Sequence, residues 1–196
     1  MVIISHKYKF IFFRPRKVAG TSIEKSIEDF LLLNNDMSFV ISKFGYNIYL
    51  PENILTNNKI DNNKLYIHVP PKYIKKLILN EKFDNYCKII IIRNPYDMVI
   101  SWFWWIFRNY NFNILSKIQI INKFQKFVIE CEKNNKTNFN KYFYNNDTKY
   151  DFILKYENLE NDIKKLNKLL NINIINNYNL KNNISKKNIK IKDFYN

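Results

Sequence analysis

The sequence predicts an α/β fold of three layers, with helices on both faces of a central parallel sheet. Short apolar runs typical of buried strands alternate along the chain with segments whose apolar residues have helical spacing, and this alternation is typical of parallel β-α-β units. The 196 residues are 46% hydrophobic and 25% charged, as in ordinary globular domains. Because no repeat and no linker rich in glycine, serine and proline divides the chain, we expect a single domain over residues 1–196.

The first strand and the first helix are predicted near the amino terminus. An aromatic and β-branched run over 7–13 is typical of a strand buried on both faces, and Pro15 then prevents the ladder from continuing. Helically spaced apolar residues over 21–33 predict a helix. We expect Thr21 or Ser22 to cap its start, because short hydroxyl side chains accept hydrogen bonds from the first free N–H groups of a helix.

The remaining elements continue the alternation of strands and helices. Residues 34–64 are rich in asparagine and predict loops with a short strand or two. The run KIIII over 88–92 is the clearest strand of the sequence. The other predicted elements are a strand over 65–69, a helix over 72–79 opened by Pro70 and Pro71, helices over 96–110 and 118–132, a strand over 151–156 and an amphipathic helix over 159–170.

The chain is strongly basic, with 32 Lys and Arg residues against 17 Asp and Glu and a net charge of +15. Such an excess predicts a polyanionic partner, substrate or cofactor, but it does not distinguish nucleic acid, acidic glycan, anionic membrane and phosphorylated nucleotide. The amino-terminal apolar run contains charges and lacks a cleavage site of small residues. The longest apolar stretch, over 88–107, is interrupted by Arg93 and Asp97. We therefore expect a soluble, cytoplasmic protein with no membrane partner.

The cysteines and histidines are few. Cys87 and Cys131 are too few for a disulfide scaffold. Their spacing relative to His6 and His68 does not match a zinc site. We therefore expect a reducing compartment and no metal.

The loop between the first strand and the first helix has the residues of an anion-binding turn. It reads RPRKVAGTSIE over 14–24 and places Lys17 and the small residues Ala19 and Gly20 before the helix. Small residues let the backbone approach a ligand, the helix start offers free N–H groups, and the lysine adds a positive charge. Because the lysine precedes the glycine, the loop is not a Walker A motif. The alternative interpretation is a basic turn before a well-capped helix.

A second loop of this kind follows the strand over 88–92. Arg93 comes directly after that strand, and Ser101 lies eight residues later on the predicted helix. An arginine at a strand end and a hydroxyl two turns along a helix can bind one phosphate group, for which arginine offers bidentate hydrogen bonds. Alternatively, Arg93 caps a helix or forms an ion pair. Core packing is expected for most of the neighbouring aromatic residues, including Trp102, Trp104 and Trp105.

Three ordered motifs together resemble those of sulfotransferases that use 3′-phosphoadenosine 5′-phosphosulfate (PAPS). The loop over 14–24 resembles their 5′-phosphosulfate loop, and IIIIRNPYDMVISWFWW over 89–105 resembles their 3′-phosphate motif. DFILKYENLENDIKKLNKLLNI over 151–172 resembles a third landmark, a strand ending in Y-E-[ND]-L before an amphipathic helix. The final IKDFYN resembles a segment of carbohydrate sulfotransferases. The resemblance implies a P-loop-like sulfotransferase fold and sulfuryl transfer from PAPS to an acceptor hydroxyl, that of a carbohydrate.

The resemblance also implies roles for individual residues. Lys17 matches the lysine that contacts the 5′-phosphosulfate and its bridging oxygen, and Arg93 and Ser101 match the ligands of the 3′-phosphate. Arg16 departs from the family pattern, which has a proline at that position. The other cofactor-binding positions implied are Arg16, Ala19, Gly20, Thr21 and Ser22 in the first loop, Tyr156 near the adenine, and Lys186 and Lys187 in a basic carboxyl-terminal segment, 181–196, that forms a lid over the nucleotide.

The reaction also requires a base for the acceptor hydroxyl, and His68 is the expected base. Its segment, KLYIHVPP, lies between the two nucleotide motifs and resembles the H-[VI]-P segment that carries the base in some glycan sulfotransferases. A neutral imidazole is suited to accept a proton near pH 7. Asp36 or Glu52 is the alternative base, since other relatives use a carboxylate after the first helix. His6 precedes the first strand and is expected to have no role in the reaction.

Two other functions stay open at this point. The net charge of +15 and the 17% of aromatic residues also fit a nucleic-acid-binding protein that stacks bases, although no nucleic-acid-binding motif is found. A P-loop nucleotide kinase, or a relative without activity, is the third interpretation. Against it, the sequence has neither a Walker A loop nor a clear acidic strand end for Mg²⁺.

Overall fold

The computed structural model describes residues 2–36, 39–40, 68–134, 136, 140–144, 148–175, 189 and 191–195. Their contacts form two compact units. The first unit comprises Met1–Ile92 and Asn140–Leu180, and the second comprises Arg93–Phe139 and Lys181–Asn196. The single domain expected from the sequence stays a prediction.

The first unit is built on a five-stranded sheet. Its strands are β1 (Val2–Ser5), β2 (Phe10–Phe13), β3 (Phe39–Val40), β4 (Cys87–Ile92) and β5 (Phe152–Lys155), and their spatial order is β3-β1-β2-β4-β5. The strands β2, β4 and β5 run parallel to one another, whereas β1 is antiparallel to both of its neighbours. The predicted parallel sheet is confirmed for these three strands. The antiparallel strand β1 and, beyond it, β3 extend the sheet on one side.

The helices lie close to their predicted positions. In chain order they are α1 (Gly20–Leu33), α2 (Pro71–Leu77), α3 (Asn80–Asn85), α4 (Pro95–Ile106), α5 (Lys117–Lys133) and α6 (Leu159–Leu170). The helices α4 and α5 belong to the second unit and the others to the first. Only α3 was not predicted, because six residues are too few for a helical period to show. Among the helices of the described residues, none combines the length and the apolar character that a membrane crossing requires.

Both faces of the sheet are buried. On one face, Ile4, Ile11 and Ile90 pack in one apolar cluster with Ile74 of α2 and Phe83 of α3. The side chains that alternate with them along the strands are equally inaccessible to solvent, namely Ile3, Phe10, Phe12, Ile89 and Ile91. Since neighbouring residues of a strand point to opposite faces, a sheet buried in this way is the middle layer of three. The predicted α/β fold is therefore confirmed.

The amino terminus forms a hairpin that the sequence analysis missed. The strand β1 pairs with β2 across a turn in which Lys9 has a φ of 52°. A residue in the left-handed region cannot extend a strand. The strand predicted over 7–13 therefore begins only at Phe10.

The second unit has an aromatic core around Phe103 of α4, which is fully buried. The ring of Phe103 contacts six others, those of Trp104, Phe107, Phe112, Phe124, Phe127 and Phe194. The core role expected for the tryptophans is confirmed for Trp104, which is buried, but Trp105 is exposed. Aromatic contacts of this kind add to the free energy of apolar burial, so this cluster helps to stabilise the unit.

The carboxyl-terminal segment packs into the same aromatic core. A 3-10 turn over Ile191–Phe194 brings Phe194 against the ring of Phe124, with 4.8 Å between ring centroids. An ion pair of 2.8 Å joins Lys117 Nζ to Asp193. The hydroxyl of Tyr195 donates a hydrogen bond of 2.9 Å to the carbonyl oxygen of Tyr96. The IKDFY segment therefore packs as an integral part of the second unit.

Candidate active site

Three strands of the first unit end at the same edge of the sheet. Phe13 of β2 pairs with Ile90, and Ile92 of β4 pairs with Lys155 of β5, so the carboxyl ends of the parallel strands lie side by side. In open α/β sheets, ligands bind at this edge, in the loops that follow the strands. The candidate site is the loop that follows β2 together with the segment that precedes α2.

The loop after β2 turns through the left-handed region twice. Lys17 has a φ of 61°, and Ala19, the residue before α1, has a φ of 58°. Each such conformation costs a residue other than glycine about 1–2 kcal/mol. Backbone strain of this kind occurs preferentially at ligand sites, where the surrounding structure holds it in place. This strained loop is therefore the candidate ligand-binding turn of the first unit.

The start of α1 differs from the prediction. The helix begins at Gly20, and no side chain caps it; the predicted caps are therefore wrong. Thr21 and Ser22 lie inside the first turn, two and three residues beyond Ala19, which occupies the cap position. The Thr21 hydroxyl instead accepts a hydrogen bond of 3.3 Å from Arg14 Nη1. A helix start without a side-chain cap keeps N–H donors and the positive end of the helix dipole available for an anion.

Arg14 packs across the first turn of α1. Its guanidinium forms an ion pair with Glu24, and both side chains are largely buried. Burial raises the pKa of Glu24, while the charge of Arg14 opposes that rise. A Cβ atom on Gly20 would lie 2.2 Å from Arg14 Cγ, so only glycine leaves room for the arginine. The ion pair and the glycine together tie the end of β2 to the start of α1.

His68 lies against the same loop. The segment over 65–67 is outside the described residues, and His68 itself is not in a strand. Its Nδ1 atom is 2.9 Å from the carbonyl oxygen of Arg14. Because a carbonyl oxygen only accepts hydrogen bonds, Nδ1 carries the proton, and Nε2 is left with a lone pair. The backbone of the loop thus selects the tautomer in which Nε2 is the proton acceptor.

The environment of His68 keeps the imidazole neutral. Burial lowers the pKa of His68 to about 3; the nearby charges of Arg14 and Arg16 act in the same direction, and the hydrogen bond to the Arg14 carbonyl opposes them. The imidazole is therefore neutral near pH 7, with Nε2 unprotonated. An anion bound beside the two arginines would raise the pKa of His68, because it would offset their charges.

A buried asparagine from a distant part of the chain holds the loop. Asn140 Oδ1 accepts a hydrogen bond of 2.9 Å from the backbone N–H of Arg16, and Asn140 Nδ2 donates one of 3.0 Å to the carbonyl oxygen of Arg16. Sequence reasoning missed Asn140, since 124 residues separate the partners and asparagine is abundant throughout the chain. No local pattern marks it.

The chain matches the model of the sulfotransferase family over residues 1–193. It belongs to the sulfotransferase family. Neither the curated proteins nor the solved structures contain a significant match to it. Membership confirms the family that the three sequence motifs indicate, and it makes sulfuryl transfer the general activity of this sulfotransferase.

The structure places Asp36, an alternative base, at the opposite edge of the sheet. Asp36 accepts a hydrogen bond from the hydroxyl of Ser5. Ser5 ends β1 and pairs with Phe10 at the start of β2, whereas the candidate site follows Phe13 at the end of β2. The length of a strand therefore separates Asp36 from the candidate loop, and the structure does not bring this alternative base to it. The other alternative, Glu52, lies outside the described residues.

The remaining predicted nucleotide ligands are distributed over both units of the sulfotransferase. Arg93 directly follows β4, and Ser101 is buried in α4; both belong to the second unit. Tyr156 directly follows β5 in the first unit and is half-buried. Lys186 and Lys187 lie outside the described residues. The structure thus joins His68 to the first loop, and the roles of these five residues stay predictions.

We expect the stability of this sulfotransferase to fall as the pH decreases from about 6.5 toward 3, in part through His68. The folded protein holds this imidazole neutral, whereas the unfolded chain protonates it below a pKa of about 6.5. The unfolded state therefore binds more protons in this window, and the contribution to the free energy of unfolding changes by up to about 1.4 kcal/mol per pH unit. Urea unfolding of the wild type and of His68→Asn between pH 4.5 and 7 measures it. If the free energy of unfolding changes with pH by the same slope in both proteins, the environment described for His68 is contradicted.

Proposed function

We propose that this sulfotransferase moves the sulfuryl group of PAPS to a hydroxyl group of a carbohydrate, with His68 as the general base. The observation that carries the proposal is the hydrogen bond between His68 Nδ1 and the Arg14 carbonyl oxygen. It joins a neutral imidazole to the loop that resembles the 5′-phosphosulfate loop of the family. A proton acceptor and an anion-binding turn are the two parts that the chemistry requires in one place.

The loop after β2 fits the 5′-phosphosulfate group of PAPS. The loop brings backbone donors and a lysine next to one another. Lys17 and Ala19 are left-handed, and the helix starts directly after them at Gly20. Backbone N–H groups at a helix start are suited to phosphate and sulfate oxygens. We assign the 5′ group to this loop, with contacts from Arg16, Lys17 and Ala19 and from Gly20, Thr21 and Ser22.

Each residue of the site has a defined task in the transfer. When bound, PAPS supplies the sulfuryl group: the acceptor oxygen bonds to sulfur while the bond from sulfur to the bridging oxygen breaks and leaves its electron pair on the 5′-phosphate. His68 Nε2 takes the proton of the acceptor hydroxyl. The Arg14 carbonyl keeps its hydrogen bond to Nδ1 in both protonation states and stabilises the imidazolium that forms. Lys17 donates to the bridging oxygen as negative charge develops there.

The family resemblance assigns the rest of the nucleotide to residues outside this loop. We assign the 3′-phosphate to Arg93 and Ser101, since the guanidinium offers bidentate hydrogen bonds and the hydroxyl a further donor. Tyr156 is assigned to the adenine because it follows β5, at the same edge of the sheet as the loop. Lys186 and Lys187 are assigned to a basic lid.

The carbohydrate acceptor is inferred from the carboxyl-terminal IKDFYN segment, which resembles that of carbohydrate sulfotransferases. The net charge of +15 suits an acidic glycan as well as the nucleotide. We expect label from [³⁵S]PAPS to enter acidic oligosaccharides in a panel that also contains neutral oligosaccharides, simple phenols and tyrosyl peptides. Label in phenols or peptides alone would contradict the carbohydrate acceptor, and the absence of label from every acceptor would contradict the proposed transfer.

A further inference from the structure

Asn140 makes a two-point contact with the candidate phosphosulfate loop. Its side chain is 2% exposed, and its carboxamide meets both backbone groups of Arg16, with distances of 2.9 Å to the N–H and 3.0 Å to the carbonyl oxygen. The carboxamide of asparagine has the same donor and acceptor pattern as a peptide group. The contact therefore fixes the position and the orientation of the Arg16 backbone, as a neighbouring strand would.

The position of this contact along the loop is informative. Arg16 immediately precedes Lys17, the first of the two left-handed residues, and Ala19 is the second. Asn140 therefore holds the backbone at the residue where the strained part of the loop begins. A backbone that is strained in two of four residues needs an external contact to stay in place, and Asn140 supplies one from another part of the first unit.

We propose that Asn140 is a positioning residue, which holds the loop over 16–19 in the conformation that binds the 5′ group of the nucleotide. The inference rests on the proposed function, since it presumes that this loop binds PAPS. Asn140 acts through the backbone of Arg16 and takes no part in proton transfer. When Asn140 is removed, the loop is expected to relax and the nucleotide must reorder it on binding, which weakens affinity.

The chain contains a matched control for this contact. Asn167, in α6, makes the same two hydrogen bonds to the backbone of Ile174, with Nδ2 to the carbonyl oxygen at 2.9 Å and Oδ1 from the N–H at 3.0 Å. Its partner is only seven residues away and lies after the end of α6 rather than in the candidate loop. Replacing Asn167 removes the same pair of bonds without touching the loop.

The test compares the affinity of 3′-phosphoadenosine 5′-phosphate (PAP) for the wild type, Asn140→Ala and Asn167→Ala by calorimetric titration. We expect Asn140→Ala to raise the Kd of PAP at least about tenfold, which corresponds to about 1.4 kcal/mol. Asn167→Ala is expected to keep the wild-type Kd, although both variants lower the unfolding temperature. In turnover, Asn140→Ala is expected to raise the KM for PAPS and to leave kcat at saturating PAPS within about threefold.

Asn140→Leu keeps the test decisive if the alanine variant does not fold. Leucine has nearly the same volume as asparagine and adds no charge beside the loop, but it can neither accept from the Arg16 N–H nor donate to the Arg16 carbonyl oxygen. We expect weaker PAP binding for this variant as well. A wild-type Kd of PAP in the folded Asn140 variants would overturn the inference. An equal loss of PAP affinity in Asn167→Ala would also overturn it. Both results would leave the proposed function intact. If the wild type does not bind PAP, the proposed function fails and the inference with it.

Discussion

We expect His68→Asn to bind PAP with the wild-type Kd and to lose sulfuryl transfer by a factor of about 10²–10⁴, the range for removal of a general base. Asparagine can still donate from Nδ2 to the Arg14 carbonyl oxygen, as His68 Nδ1 does at 2.9 Å. It has no counterpart of Nε2. The substitution therefore removes the proton acceptor and retains the contact with the loop. The measurement is kcat for transfer from PAPS, together with the Kd of PAP for the same variant.

The control for this substitution is His6→Asn. His6 lies near the end of β1, at the opposite edge of the sheet, where its Nδ1 is 2.7 Å from the hydroxyl of Tyr86. Burial lowers the pKa of His6 too, so a neutral, partly buried histidine is common to both positions. We expect His6→Asn to keep kcat. Transfer by His68→Asn at the wild-type rate would exclude His68 as the base.

We expect Lys17→Ala to raise the Kd of PAP by about tenfold to a hundredfold. A charge-assisted hydrogen bond contributes about 1.5–3 kcal/mol, and tenfold in Kd corresponds to about 1.4 kcal/mol. Alanine is the informative replacement because it keeps the steric cost of the left-handed backbone at φ 61°, which glycine would remove. The change in the Kd of PAP then measures the loss of the ammonium group and not a change in the loop conformation. Calorimetric titration with PAP measures it.

Lys25 provides a matched lysine for comparison. It lies on α1 and forms an ion pair of 2.8 Å with Asp29 four residues later, in solvent. Lys25→Ala removes the same charge from the protein and is expected to leave the Kd of PAP within about twofold, since exposed ion pairs contribute little. An equal loss of affinity in both variants would mean that net charge, rather than the position of Lys17, determines binding.

The local part of the candidate site could be predicted from the sequence. The strand, the loop and the helix over 10–33 follow from local patterns, namely a buried apolar run, small and basic residues and helical spacing. His68 could be predicted because its motif is also local. The helix start was predicted one residue late, and the predicted caps were wrong, since the cap position is Ala19 and no side chain caps the helix.

The parts that could not be predicted depend on long-range contacts. Asn140 reaches Arg16 across 124 residues, and an asparagine in an asparagine-rich chain gives no sign of such a role. The position of Asp36 could not be predicted either, because it depends on the hairpin of β1 and β2, in which Ser5 lies within hydrogen-bond distance of Asp36. The strand β1 itself was missed, since it has only three apolar residues, Val2, Ile3 and Ile4, and polar residues follow them directly.

The most direct test of the central claim is thermal unfolding of the sulfotransferase with PAP and, as a control, with ATP. A ligand at 100 times its Kd stabilises the folded state by about 2.7 kcal/mol, which raises the unfolding temperature of a chain of this length by several degrees. We predict this rise with PAP and none with ATP. A rise with ATP alone would favour a nucleotide kinase, and the absence of a rise with either nucleotide would contradict PAPS as the sulfuryl donor.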